Sequence, residues 1–522
     1  MSAFVTNQFR IDNASNFIDS VSTGNYFVFL GLSNETEQTP SGSGGNAFGR
    51  DTNWNSNTVV NMPPNPVDNL DYLYHYRDTT MFGKKVTAEN CRKVVKKIEW
   101  KQGDRYDTYR HDYSLSNKTS VTDRSTLFGS NYYVINSEFR VYVCIDNGFR
   151  GEYDSNGNPI VDTVVEEPRG NDVAIISSDS DKYKWMYLFT ISASDVIKFD
   201  STDYIVLPNN WLDPDNDDNS ITRVRDRSES QIQHVVIDNP GSGYTSTTFE
   251  IKGDGTGGEV SITVDESGGI IDAVVTSSGS GYTYAYVDLP ASGTPARLVP
   301  IIPPSTNHGA DIYKELGADK VLMYARFDSS NTDFISDTTF AQVGIIKNPK
   351  TYGEDSFYTQ DTFSSTYAVQ YDNNGEAITE SLVGSEIRQE RGADDSKIIC
   401  RGWVVSHDTT NRIIRYVHDR SLSYPNGKNQ EISTDITDPG VEFNEFEGTV
   451  AGGTTNAITV GLSETAYNIT STTGTISGIS FTNGIATPEI NSKTGDIIYI
   501  DNRKSIQRDL NQKEDVKIIL EF

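Results

Sequence analysis

The sequence has few cysteines and no long apolar run. Its three cysteines, Cys91, Cys144 and Cys400, are far apart and form no Cys-x-x-Cys pair. We therefore expect small buried residues in a reducing compartment rather than a disulfide framework. The longest apolar stretches, such as residues 26–32, have the length of a strand and cannot span a bilayer, and no secretory signal is visible. The sequence predicts a protein made in a cytoplasm, without a membrane stage of its own.

Positive charge is also scarce. The chain has 44 lysines and arginines against 73 aspartates and glutamates, which gives a formal net charge of −29. A surface this negative repels phosphate groups, so binding to nucleic acid or to an anionic membrane is disfavoured. Charge alone does not name a partner.

Composition and patterning predict a β-rich α+β fold. The 522 residues suffice for two to four domains, and a hydrophobic fraction of 35% with 42 glycines suits several sheets joined by many turns. Short helices are predicted in two places, from Asp12 or Asn13 to Gly24 and from Thr87 to Ile98, where apolar residues follow the helical spacing. We expect a multidomain protein of sheets and small β-sandwich or barrel modules with a few short helices.

An internal repeat lies within residues 235–290. Gly-Ser-Gly-Tyr-Thr occurs at 241–245 and again at 279–283, each time between strand-like segments. The unit is predicted to be a strand, a glycine turn that presents a tyrosine, and a second strand. A Gly-x-Gly-x-x-Gly pattern at residues 253–258 precedes an alternating, strand-like segment, whereas a dinucleotide site needs a helix there. No cofactor is predicted.

Metal and catalytic motifs are weak. Asp213, Asp215 and Asp217 resemble the start of an EF-hand loop, but Asp218 and Val224 stand where that loop needs its glycine and its bidentate glutamate. They are retained only as candidates for incidental calcium binding. No histidine pair, nucleophile elbow or phosphate-binding loop is found, although a carboxylate pair of a glycosidase would not be visible in the sequence. We expect a protein that is not an enzyme.

The densest positive patch is a candidate protein interface. It comprises Lys84, Lys85, Arg92, Lys93, Lys96, Lys97 and Lys101. On a helix, these residues form either a solvated face or a surface that docks on acid groups of a neighbouring chain.

Several separated stretches resemble one family, the baseplate wedge subunit called gene product eight in T-even-type contractile-tailed phages, particularly those of cyanobacteria. The stretches are Gln8-Phe9-Arg10, Asn16-Phe17, Phe48-Gly49-Arg50, Trp54, Lys97-Ile98-Glu99-Trp100, Tyr109-Arg110-His111-Asp112-Tyr113, Trp185-Met186-Tyr187-Leu188-Phe189, Tyr204-Ile205-Val206-Leu207-Pro208, Tyr499-Ile500-Asp501-Asn502-Arg503, Asn511-Gln512 and the closing strand to Phe522. They cover roughly residues 1–230, parts of 310–350 and 494–522.

The resemblance implies a domain plan in which a family core carries two insertions. The plan is a core at 1–230, an inserted β module at 231–295, a return to the core at 296–351, an inserted β-rich domain at 352–492 and core strands at 493–522.

The resemblance also implies a non-enzymatic late virion protein that forms a homodimer and joins other wedge subunits in the tail baseplate. Arg503 is then a candidate for fixing a neighbouring chain, or equally for an internal tie. Two alternatives stay open: a tail fibre or adhesin that binds a host glycan through its β modules, and a carbohydrate-active enzyme.

Overall fold

The computed structural model describes most of the chain. The described residues are 4–31, 65–113, 121–122, 124, 126–178, 180–227, 231–291, 293–328, 334–335, 338–372, 378, 382–390, 397–418, 432–433, 457–460, 466–509 and 511–522. The matching stretches around Phe48 and Trp54 lie outside these residues.

Strands dominate the described residues. The helices are α1 (Asn7–Thr23), α2 (Leu70–Thr79), α3 (Ala193–Phe199), α4 (Asn219–Arg225) and α5 (Ile312–Leu316), with 3-10 turns at Ala88–Asn90 and Leu127–Gly129. The first strands are β1 (Tyr26–Gly31), β2 (Thr80–Val86), β3 (Cys91–Lys96), β4 (Tyr133–Ile135), β5 (Arg140–Asp146), β6 (Ile176–Ser177), β7 (Lys184–Thr190), β8 (Tyr204–Val206), β9 (Val235–Asn239), β10 (Thr247–Gly253), β11 (Thr256–Val264), β12 (Ile270–Ser280), β13 (Ala285–Val287), β14 (Arg297–Pro300) and β15 (Lys320–Asp328).

The second half of the chain continues in the same way. Its strands are β16 (Thr338–Lys347), β17 (Lys350–Thr351), β18 (Thr362–Ser364), β19 (Tyr367–Asp372), β20 (Glu386–Glu390), β21 (Lys397–Asp408), β22 (Ile413–His418), β23 (Ile432–Ser433), β24 (Ala457–Val460), β25 (Ala466–Ile469), β26 (Gly474–Ile476), β27 (Ile479–Phe481), β28 (Ile485–Ala486), β29 (Ile490–Asn491), β30 (Asp496–Arg508) and β31 (Lys513–Glu521). With 42% strand and 12% helix, the predicted β-rich multidomain fold is confirmed. None of the described helices is long and apolar enough to cross a membrane.

The chain forms two compact units. Unit 1 comprises Met1–Asp19, Cys91–Met323 and Ile518–Phe522, and unit 2 comprises Ser20–Asn90 and Tyr324–Lys517. The five-segment domain plan stays a prediction.

Unit 1 contains two antiparallel four-stranded sheets of different character. The sheet β4-β5-β7-β6 is buried on both faces, since β5 and β7 are runs of apolar and aromatic residues packed into one large core. The sheet β12-β11-β10-β13 is covered on one face only, because β11 alternates between buried Val260 and Ile262 and polar Glu259 and Thr263. The strand predicted after the glycine pattern at 253–258 is therefore confirmed.

Unit 2 is built on two larger sheets. One has the order β18-β2-β1-β16-β30, and the other joins eight strands along β20-β24-β25-β19-β22-β21-β23, with β28 beside β19. Strand β1 pairs with β16 on one side and β2 on the other, and all six of its residues are buried.

The two helix predictions have different outcomes. Helix α1 exists and ends before Gly24, but it begins at Asn7 because the Thr6 hydroxyl accepts a hydrogen bond from the Phe9 N–H at 3.3 Å. The helix predicted from Thr87 to Ile98 is wrong: a short 3-10 turn leads into strand β3. Strand β3 pairs with β8 and β15, and this pairing outweighs an apolar spacing that fits either structure.

Each copy of the repeat forms a glycine turn, and the tyrosine that follows is buried. Gly241 and Gly279 have φ of 61° and 58°, and Gly243 and Gly281 have φ of 80° and 78°, so both copies make the same left-handed turn. Tyr244 and Tyr282, 7% and 2% exposed, fold beneath these turns instead of being presented to solvent. The prediction of a presented tyrosine is therefore wrong.

The two tyrosines differ in how many backbone groups they satisfy. The Tyr282 hydroxyl donates to Ile251 O at 2.8 Å and accepts from the Gly258 N–H at 3.1 Å, whereas Tyr244 accepts only from the Ala296 N–H, at 2.9 Å. We expect Tyr282→Phe to lower the free energy of unfolding by about 2 kcal/mol, since two buried partners lose their hydrogen bonds. Tyr244→Phe should cost about half as much, since only one does. Urea titrations of both variants check this, and equal losses would contradict it.

Candidate functional site

The predicted basic patch does not form one surface on a helix. Lys84 and Lys85 lie in β2 of unit 2, whereas Arg92, Lys93 and Lys96 lie in β3 of unit 1. The prediction of a helical docking face is wrong because its helix is absent. A role of these residues at a protein interface stays a prediction.

The basic residues on and after β3 make contacts within unit 1. Arg92 Nε lies 3.0 Å from Asp195 Oδ1, and Lys97 Nζ lies 3.2 Å from Glu99 Oε1. Lys96 Nζ donates to Asn131 Oδ1 at 3.3 Å. These cations therefore tie β3 to the segments around it.

Lys93 is buried. Its Nζ lies 3.5 Å from the centre of the Tyr313 ring, and burial lowers its pKa to about 8 against the opposing effect of Asp311. The neighbouring Cys91 and also Cys144 are buried free thiols, and burial raises the pKa of Cys91 to about 12. Neither thiol has the lowered pKa of a reactive cysteine. The Cys400 side chain lies outside the described part of the chain.

Arg503 makes an internal tie. Its Nε lies 2.8 Å from Asp501 Oδ2, two residues away in β30. Of the two roles considered for Arg503, this contact corresponds to the internal one, and a contact with a neighbouring chain stays a prediction.

The three candidate metal ligands serve a loop that leads into α4. Asp213 Oδ1 accepts the Asp215 N–H at 3.0 Å, and Asp218 caps α4 by accepting the Ser220 N–H at 2.8 Å. Arg225 Nη1 donates a hydrogen bond to the Asp213 carbonyl oxygen at 2.5 Å. Within the described residues, no group of three or more histidine, cysteine or acidic side chains could hold a metal ion, so Asp213, Asp215 and Asp217 do not converge on a site.

A large charged cluster in unit 1 is one that the sequence did not predict. It joins residues before position 230 to residues of the repeat region, and we call it the junction network. Its members are Arg110, Asp112, Asp146, Arg150, Lys184, His234, Asp238, Asp272 and Arg297.

Asp146 is the centre of one half of the junction network. It is 1% exposed and accepts both Arg150 terminal nitrogens at 3.1 Å, while Lys184 Nζ lies at 3.3 Å and His234 Nε2 at 3.8 Å. Burial alone would raise its pKa, but the surrounding positive groups hold the pKa far below its ordinary value. Arg150 also reaches Asp272 of β12 at 3.4 Å, which links the segment after β5 to the sheet β12-β11-β10-β13.

Arg110 is the centre of the other half. It is 2% exposed, forks onto both Asp112 oxygens at 2.8 Å, and reaches Asp238 of β9 at 3.0 Å. Burial would lower the pKa of Arg110, yet the two carboxylates raise it. Arg297 of β14 adds a second cation to Asp238 at 3.4 Å. The two bonds to Asp112 orient the guanidinium, and the single bond to Asp238 joins it to β9.

The partners in the junction network are up to 128 residues apart, so no local pattern could reveal them. One signal in the sequence is the stretch Tyr109–Tyr113, which carries part of the family resemblance and contains Arg110. No protein-family model matches the chain, and a search of curated proteins finds no match to it.

Proposed function

We propose that the chain is a structural subunit of a contractile phage tail baseplate, a wedge protein that acts by dimerising and by binding other wedge subunits. The observation that carries this proposal is the junction network. Its ion pairs join Arg150, which follows β5, to β12 of the one-sided sheet, and Arg110 to β9. A subunit that transmits force between neighbours needs this kind of internal coupling. The ordered resemblance adds independent support.

An adhesin-type function is the second candidate, and one observation favours it. Tyr284 and Tyr286 lie two residues apart beside the second repeat copy and are 57% and 49% exposed. Exposed aromatic rings with a polar end are suited to stacking on a ligand such as a sugar. The two functions differ in whether this module faces a host surface or a neighbouring tail protein.

Light scattering and co-assembly test the proposal. We expect a particle with twice the 57.8 kDa mass of one chain, and incorporation of that dimer into complexes with the other tail proteins of the same phage. A monomer that stays outside such complexes but binds host envelope glycans, with loss of binding in a Tyr284→Ala, Tyr286→Ala variant, would favour the adhesin. Polysaccharide turnover that one carboxylate substitution abolishes would overturn both.

A further inference from the structure

A cleft of about 820 Å³ lies beside the second repeat turn in unit 1. It is within the usual size range of ligand clefts, roughly 300–1,000 Å³. Its walls are the glycine turn itself, the end of α4 and the segment after β14. The lining residues are His111, Arg225–Arg227, Gln231, Gly279–Thr283 and Ile302–Thr306.

Arg227 has no hydrogen-bonded or ion-paired carboxylate among the described residues. It is half-buried, and its Nε and Nη2 have no hydrogen-bond partner within the described residues. Its Nη1 touches only the Met186 sulfur, at 3.3 Å. Burial lowers the pKa of Arg227, and the charge of Glu315 opposes that effect. A partly buried guanidinium whose nitrogens lack hydrogen-bond partners is costly, and a bound ligand is one explanation for such a group.

Among the described lining residues, the other polar groups add a donor and no unpaired negative charge. Arg225 forks onto Asp226 at 2.7 and 3.0 Å, so this pair is neutral overall. His111 Nδ1 accepts the Ile302 N–H at 3.2 Å, which leaves the ring proton on Nε2 as a donor. The cleft is thus a locally positive site in a chain whose net charge is −29.

We propose that this cleft binds a carboxylate-bearing segment of a partner protein and that the carboxylate supplies the counter-charge to Arg227. The choice of a protein segment rests on the proposed assembly function and on the lining. Tyr282, the one tyrosine, phenylalanine or tryptophan among the described lining residues, is 2% exposed and offers no ring for a sugar to stack on. Charge complementarity with acidic segments then sets the orientation and the rate of docking.

Fluorescence anisotropy with labelled hexaglutamate tests the proposal. The full-length protein should bind hexaglutamate with an affinity that falls as salt rises, and should not bind hexaglutamine. Arg227→Met should weaken binding at least tenfold, and Arg227→Lys should weaken it less because the charge is kept. Arg105→Met removes the same charge from an exposed arginine outside the cleft and should leave binding unchanged.

Three results would overturn the proposal: equal binding of hexaglutamine, equal losses in the Arg227 and Arg105 variants, or tighter binding of hexagalacturonate than of hexaglutamate. The last would assign the cleft to an acidic glycan. A circular-dichroism spectrum and an unfolding midpoint for Arg227→Met show whether weaker binding reflects a loss of the folded structure. If Arg227→Met is unstable, the affinity of Arg227→Lys for hexaglutamate tests the proposal instead. The peptide assay requires no tail proteins. Failure here together with normal co-assembly would remove the cleft inference and leave the proposed function standing.

Discussion

Replacement of Asp146 by alanine should lower the free energy of unfolding by about 3–5 kcal/mol, the usual cost of removing one partner from a buried ion pair. The Asp146 side chain is 1% exposed and forms ion pairs with Arg150 and Lys184. It also accepts a hydrogen bond from the Gly148 N–H at 2.9 Å. Without it, a guanidinium and an ammonium group remain close together in a poorly hydrated place. Asp146→Asn keeps the size but removes the charge, and should recover only part of the loss. Guanidinium titrations followed by the fluorescence of the buried Trp185 and Trp211 would measure these changes.

An exposed ion pair in the same unit provides the control. Asp162 lies 3.6 Å from Lys182, and both side chains are more than half exposed. Asp162→Ala should change the free energy of unfolding by no more than about 0.5 kcal/mol, since solvent screens such pairs. If the two alanine variants are equally stable, the junction network does not hold the sheets of unit 1 together.

The sequence predicted the strands better than it predicted what joins them. The run that became β1 and the closing strand β31 were found because aromatic and β-branched residues concentrate where a sheet is buried. The helix predicted at residues 87–98 is wrong. The apolar residues Cys91, Val94, Val95 and Ile98 fit one face of a helix, but pairing with β8 and β15 makes this segment a strand. That pairing depends on residues more than 100 positions away.

The repeat and the junction network show the same limit at the level of side chains. The spacing of the two Gly-Ser-Gly-Tyr-Thr copies correctly indicated a duplicated turn, since paired positive φ values recur at matching glycines. The residues next to each tyrosine do not show whether its side chain is buried or exposed. The Tyr282 hydroxyl, for example, is hydrogen-bonded to backbone groups in β10 and β11. Likewise, nothing near Arg110 in the sequence identifies Asp238 as its partner. Burial of a charge becomes possible only once the fold has supplied the opposite charge.

Stability should also fall as the pH is lowered from about 6.5 to about 4, and His234 should account for much of that fall. The imidazole is 6% exposed, and burial lowers its pKa from 6.5 to about 4; Asp146 opposes this shift, while Arg150, Lys184 and Arg110 add to it. Between these two pH values the unfolded chain binds a proton at His234 and the folded chain does not, so acid favours unfolding. The full shift corresponds to about 3 kcal/mol, at roughly 1.4 kcal/mol for each pKa unit.

Replacement of His234 by glutamine isolates this contribution, because glutamine keeps a polar side chain but has no proton to gain. The difference in unfolding free energy between pH 7 and pH 4.5 should be smaller in His234→Gln than in the original protein by about 2–3 kcal/mol. Asp146 affects stability in a different pH range. Its pKa is lowered in the folded protein, so its stabilising contribution is lost only when the pH falls below 3.8, the ordinary pKa of an aspartate. An unchanged pH dependence in His234→Gln would mean that the ring gains its proton in the folded protein without cost. The positive groups around Asp146 would then not oppose a further charge beside them.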